Sequence, residues 1–152
     1  DPRYIATTAR CYKEAADAFF NKTLSKEKVK GWRKDLESVY NRGYSTGFYF
    51  STPGPEGISY DKSDNVATVR KVLAGEVVHY YPKLKVGIVE LNHNGIKVGD
   101  KIIVEGNTTF FEQKIGSIEV GGKKLQRAKK SLEVAIKFKS RVRKKDKVFV
   151  LK

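Results

Sequence analysis

Arg42-Gly43-Tyr44-Ser45-Thr46-Gly47-Phe48-Tyr49-Phe50 sets four aromatic rings beside two glycines, a combination that neither a helical period nor strand alternation explains. The stretch reads as a junction. On its N-terminal side apolar residues recur at helical spacing, and beyond residue 65 they alternate as in strands. The chain is therefore expected to be α+β: a helical region over residues 1–50, a loop over 51–69 and a β domain over 70–152.

Upstream of the junction, Asp1-Pro2 is a good helix start, because the carboxylate can accept from free amides and proline loses no needed bond at the first helical position. Ile5, Ala9, Tyr12, Ala16 and Phe19 then share one face, and Tyr4, Thr8, Cys11, Ala15 and Ala18 form a second small or apolar line. The buried face is expected to be broad, with more than one neighbour. Ser25 can cap a second helix carrying the stripe Val29, Trp32, Leu36 and Val39 or Tyr40, with Gly43 suited to its end. Gly31 inside that helix costs up to about 1 kcal/mol relative to alanine unless something packs against it.

Downstream, residues 51–65 have loop composition, with Pro53, Gly54, Pro55 and Gly57 as breakers. Val72–Tyr81 and Leu84–Leu91 read as strands joined by a turn at Pro82-Lys83. Asn94-Gly95 is a turn dipeptide, Lys101–Glu105 a third strand, and Phe110–Val120 one or two more, broken near Gly116. Gly121-Gly122 turns the chain again. Leu132, Val134, Ile136 and Phe138 alternate with Glu133, Ala135 and Lys137, and Lys147–Leu151 closes the series. Six or seven short strands at this spacing predict a small antiparallel β-barrel, since an open sheet of that size would leave exposed edges.

The 152 residues carry a net charge of +14 with 32% charged and 39% hydrophobic residues. That composition supports a folded core, and the charge surplus favours polyanions such as RNA; a lysine-rich face that serves only solubility is the alternative. The single cysteine, Cys11, excludes an internal disulfide and no Cys/His cluster suggests zinc. A reducing cytoplasm fits. No apolar run approaches the roughly 20 residues that cross a bilayer, so no membrane partner is expected. The absence of methionine and the Asp1-Pro2 opening lead us to expect a piece of a longer chain.

Candidate catalytic groups are sparse. The two histidines, His79 and His93, fall in a strand and a polar turn, and Cys11 lies on a helix remote from both in sequence. Ser45 and Thr46 are better read as residues that let the chain turn, with Tyr44, Phe48 and Tyr49 pinning the junction. No catalytic residue, metal ligand or cofactor-binding residue is assigned. The basic clusters are the candidate site: Lys123, Lys124, Arg127, Lys129 and Lys130, followed by Lys137, Lys139, Arg141, Arg143, Lys144, Lys145 and Lys147. Brought together by neighbouring strands, they would grip phosphates without reading bases. Only Phe138 and Phe149 lie among them, and Phe138 is expected to point inward, so structured RNA is favoured over single strands that need stacking rings.

Two resemblances attach to these residues. Lys97-Val-Gly-Asp100, Gly116-Ser-Ile-Glu-Val-Gly-Gly-Lys123 and Val142-Arg-Lys-Lys-Asp-Lys-Val148 resemble the second-domain barrel of elongation factor Tu and related translation factors, with Lys145 where that pattern usually has glycine. Arg3-Tyr-Ile-Ala-Thr7, Tyr12-Lys-Glu-Ala-Ala-Asp-Ala-Phe19 and the signature residues Arg42, Gly43, Tyr44, Thr46, Gly47, Phe48 and Tyr49 resemble the C-terminal region of the collagenase-like peptidases, family thirty-two of the unassigned peptidases. That second resemblance implies a preceding catalytic domain of TIM-barrel type as partner in the parent chain, and two different activities: proteolysis of proteins such as collagen, or hydroxylation of tRNA or ribosomal RNA bases. It implies for this chain a non-catalytic module that helps bind tRNA or rRNA. The alternatives are an accessory domain that engages a protein substrate and a purely structural or dimerising appendage.

Overall fold

The computed structural model describes residues 1–50, 52, 54 and 65–152, so most of the loop expected over 51–69 lies outside the described residues. The chain divides into two compact units, Asp1–Arg70 and Lys71–Lys152.

In the first unit, α1 (Pro2–Phe20) begins as its sequence dictates: Asp1 caps it by accepting from the Arg3 amide at 2.9 Å, with Pro2 in the first turn. Ser25 caps α2 (Lys26–Glu37) by accepting from the Lys28 amide. Of the two apolar lines on α1, the smaller one is inside. Cys11 and Ala18 are buried, whereas Ile5, Tyr12 and Phe19 are each about two-thirds exposed. Small side chains on that line allow α2 to approach closely. The expected broad buried face is thus narrower than its composition suggested among the described residues.

α2 stops at Glu37, six residues before Gly43, and Asn41 takes over the chain there. Its side-chain amide donates to the carbonyls of Val39 (2.8 Å) and Glu37 (3.2 Å), while its oxygen accepts from the Gly43 amide at 2.9 Å. Residues 65–68 return to the same place, with Val66 N–H donating to Asn41 O and Thr68 N–H to Glu37 O. The helix end is therefore satisfied by an asparagine and a returning segment in place of a glycine cap.

The second unit holds ten strands: β1 (Lys71–Tyr81), β2 (Val86–Glu90), β3 (Ile96–Lys97), β4 (Lys101–Glu105), β5 (Phe110–Lys114), β6 (Ile118–Val120), β7 (Lys123–Leu125), β8 (Arg127–Ala128), β9 (Glu133–Lys137) and β10 (Lys147–Leu151). Eight of them form one sheet in the order β5-β4-β10-β1-β2-β9-β6-β7, and β3 with β8 makes a separate two-stranded ribbon. Every pairing is antiparallel. The core lies on one face of these strands, where Val77, Val89, Ile102, Val104, Val134 and Ile136 are fully buried. Phe138 joins them, edge-on to Phe111 with ring centroids 6.2 Å apart. Each such side chain contributes about 1.5–3 kcal/mol by leaving water.

The expected six- or seven-stranded barrel is corrected in two respects. There are ten strands, because β3, β7 and β8 are two or three residues long, too short to show a period. The sheet is also not closed: β5 and β7 are its edges, and β6 meets β9 through the single pair Glu119↔Ala135. Where a ladder would complete a ring, one side chain substitutes. The Gln113 amide on β5 donates to Lys137 O (2.9 Å) and accepts from the Lys139 amide (2.8 Å). This covers part of an edge that would otherwise be free to pair with another chain.

Candidate nucleic-acid interface

Charge is divided unequally along the chain. Residues 71–152 contain 19 lysines and arginines against 8 aspartates and glutamates, a net +11 of the whole chain's +14. Several of those eight carboxylates are already engaged. Glu105 pairs with Lys71 at 2.6 Å, Glu112 with Lys101 at 2.5 Å, and Asp100 and Asp146 accept backbone amides in turns. The surplus of the second unit is thus left with few carboxylates able to neutralise it.

The twelve basic candidates are all exposed. Lys123 and Lys124 lie on β7, Arg127 on β8, Lys129 and Lys130 just after it, Lys137 at the end of β9, and Lys147 at the start of β10. Lys139, Arg141 and Arg143 follow β9, and Lys144-Lys145 forms the turn before β10. Among the described residues none of the twelve forms an ion pair within 4 Å.

The fold sorts them into groups. One concavity of about 440 Å³ beside the β3–β8 ribbon is lined by Arg127, Lys129 and Lys130 together with Lys97, Lys152 and one carboxylate, Asp100. The ribbon pairing Lys97↔Arg127 brings these segments together across thirty residues of sequence. A second concavity of about 370 Å³ is lined by Lys139 and Arg141 with Lys85, Tyr80, Pro82 and Ser140. Lys123 and Lys124 line neither. Arg143 is turned to a structural task, donating to Thr109 Oγ1 at 3.1 Å, and Lys147 stands in register between Glu76 and Glu105. Lys85, Lys97 and Lys152 lie outside the two runs of charge from which the candidates were chosen. Only the pairing of distant strands shows that they belong with them.

The remaining candidates behave as packing or surface groups. Cys11 is 2% exposed, its Sγ 3.9 Å from Trp32 O, and burial pushes its thiol pKa up, away from the reactive thiolate. His79 and His93 are exposed, and His79 stacks edge-on against Tyr81. The described residues include no group of three His, Cys, Asp or Glu able to hold a metal, and no helix among them is long and apolar enough to cross a membrane.

The signature segment departs from the pinning expected of its rings. Phe48, Tyr49 and Phe50 are 77–84% exposed. Gly47 takes a positive φ of 52°, Ser45 Oγ accepts from its amide, and Tyr49 N–H donates to Thr46 O, so a local turn throws these rings outward. Tyr44 alone is drawn in: with Arg33, Leu36, Ser45 and Thr46 it lines a concavity of about 300 Å³, and burial raises its phenol pKa.

Comparison with known proteins agrees with this arrangement. Residues 1–59 match peptidase family U32. The chain is 35% identical over 151 residues to an uncharacterized protease of Methanocaldococcus jannaschii and 32% identical over 149 residues to a collagenase of Porphyromonas gingivalis, covering 98% and 97% of this chain. It spans 37% and 36% of those relatives' lengths. A crystal structure of the C-terminal domain of a Geobacillus thermoleovorans protein assigned to the U32 peptidases superposes with a TM-score of 0.50 at 24% identity, over 52% of this chain and 91% of that one. At that identity the likeness is one of fold. Through its first 59 residues and through relatives that match nearly its whole length, the chain belongs to peptidase family U32.

Proposed function

We propose that this chain is a non-catalytic substrate-binding module of a U32-family protein, and that its β unit holds the phosphate backbone of a structured RNA, tRNA or rRNA, for base hydroxylation by the catalytic part of the parent protein. The observation that carries the reading is the concentration of +11 of the chain's +14 charge on residues 71–152, with the candidate cations unpaired. Backbone contact suits the residues present. Lysine and arginine ends line the two basic concavities, and Tyr80 is the single aromatic ring in either lining.

The test is a tRNA and duplex-RNA titration across salt concentration. Phosphate binding loses affinity linearly in log–log form as salt rises, because condensed counterions are released on binding. Changing Lys144→Glu and Lys145→Glu together should weaken binding several-fold. No binding at low salt, or unchanged affinity in the double variant, would sink the proposal.

A second reading has an observation of its own. The collagenase relative is 32% identical over 149 residues, and Ile5, Tyr12 and Phe19 form an exposed apolar line on α1. Engagement of a protein substrate through such a surface would be insensitive to salt, so the same titration with collagen as ligand separates the two.

A further inference from the structure

The concavity between the β1–β2 turn and the segment after β9 differs from the rest of the basic surface in being built. Lys85, Lys139 and Arg141 reach it from two separate segments, and Tyr80 and Ser140 add hydroxyl groups; no carboxylate is among its lining residues. The two segments are fixed to each other. Phe138 N–H donates to Lys85 O at 2.8 Å, and the Gln113 amide bridges Lys137 O and the Lys139 amide. Lys139 Nζ lies 5.7 Å from the Phe111 ring centroid, which draws that side chain along the β5 edge.

Lys85 supplies an independent sign. It holds a φ of +54°, in the left-handed region where glycine is favoured and a side chain costs about 1–2 kcal/mol. Nothing in the turn requires lysine: its amide donates to Pro82 O and its carbonyl accepts from Phe138, and a glycine would do both. A strained residue kept where its side chain lines a cationic concavity points to a task for that side chain.

We propose that this concavity is a phosphodiester-binding site, in which the Lys85 and Lys139 ammonium groups and the Arg141 guanidinium donate to the non-bridging oxygens of one RNA phosphate while the Tyr80 and Ser140 hydroxyls complete its shell. The proposal rests on the RNA reading above and gives it a fixed anchor. Arginine with its planar fork suits two oxygens of one phosphate, and lysines act as adjustable point charges around it.

The probe is a short RNA duplex, titrated against the chain at several salt concentrations. Lys85→Gln with Arg141→Gln should lower affinity about tenfold and flatten the log–log salt slope by about 2, each duplex phosphate contact contributing about 0.9. Removing the same charge at Lys123→Gln with Lys124→Gln, which line no concavity, should cost less than about threefold. Equal losses in the two pairs would overturn the anchored site while leaving general RNA binding intact; no binding by the unaltered chain overturns both. Lys85→Gly guards against a trivial folding defect. It should raise the unfolding midpoint by relieving the backbone while lowering RNA affinity, and a raised midpoint with unchanged affinity would remove Lys85 from the site.

Discussion

Lys145 occupies, in the turn before β10, the place that Gly99 occupies in the turn before β4. Their φ angles are +72° and +90°. Each is followed by an aspartate whose Oδ2 accepts from the amide three residues back, Asp100 from Lys97 at 2.9 Å and Asp146 from Arg143 at 2.8 Å. The two strands so launched then pair with each other, Ile103 opposite Phe149. One turn-and-strand unit is thus used twice, once with the residue its backbone prefers and once without.

Replacing Lys145 by glycine should therefore stabilise the chain. The left-handed conformation costs a side-chain-bearing residue about 1–2 kcal/mol, and glycine gives back about 0.4–1 kcal/mol through the greater freedom of the unfolded chain. A net gain of about 0.5–1 kcal/mol is expected, read as a higher urea midpoint at unchanged slope. A lower midpoint would show that Lys145 makes stabilising contacts that outweigh its strain.

Asp146 should matter more than Asp100, although their hydrogen bonds are alike. Asp146 is 4% exposed and its carbonyl also accepts from Val77 N–H, tying the turn to β1, whereas Asp100 is only partly buried. Asp146→Ala leaves the Arg143 amide without its acceptor in a dry place, a cost of about 2–3 kcal/mol; Asp100→Ala should cost about 1 kcal/mol because water can replace the carboxylate. Gly106 gives a companion test. Its backbone lies so close to the Asp146 carboxylate that a Cβ has no room, so Gly106→Ala should destabilise as well. Equal losses at Asp100 and Asp146 in chemical denaturation would contradict the burial argument.

The parts of the fold that could be read from the chain were those whose signal is local. Lys101–Glu105 and Lys147–Leu151 were legible residue for residue because each alternates over a full strand, and both helix starts because Asp1 and Ser25 cap within three residues. The open sheet was not legible. Whether β5 meets a ladder or only the Gln113 side chain depends on the short β6 and β7, which carry no period. The buried side of α1 was ambiguous for a steric reason: both lines are apolar, and Cys11, Ala15 and Ala18 prevail by being small enough for close approach. In the candidate site the cations were visible as runs, yet their grouping waits on the pairing of Lys97 with Arg127 and the meeting of Lys85 with residues 139–141, neither of which leaves a trace in spacing.

Gly31 offers a stabilising change in the first unit. It lies within α2, and a Cβ built there meets nothing within 4 Å. No neighbour requires its smallness, so Gly31→Ala should gain close to the full helical preference, about 0.8–1 kcal/mol. Far-ultraviolet circular dichroism during thermal unfolding would read this as a higher midpoint. A loss of stability would mean that α2 receives a close partner at Gly31.

Trp32, the chain's single tryptophan, reports on the contact between α1 and α2. Its indole Nε1–H donates to Glu14 Oε2 at 2.8 Å, and Arg10 bridges Glu14 on its own helix and Asp35 on the other, at 3.2 and 2.6 Å. The Trp32 hydrogen bond, followed by that from Arg10, holds the Glu14 pKa below the ordinary carboxylate range. A carboxylate whose folded pKa is depressed stabilises the fold above its unfolded pKa and loses that contribution as pH falls through the folded value. The contact should accordingly be intact at neutral pH and weaken only in acid, below the pH where a free glutamate protonates. Trp32 emission followed from pH 7 downward should show a transition there that Glu14→Gln abolishes, since glutamine keeps an acceptor but has no proton to take up. An unchanged transition in Glu14→Gln would assign the titration to another group, and a flat profile in the unaltered chain would show that the indole does not sense Glu14.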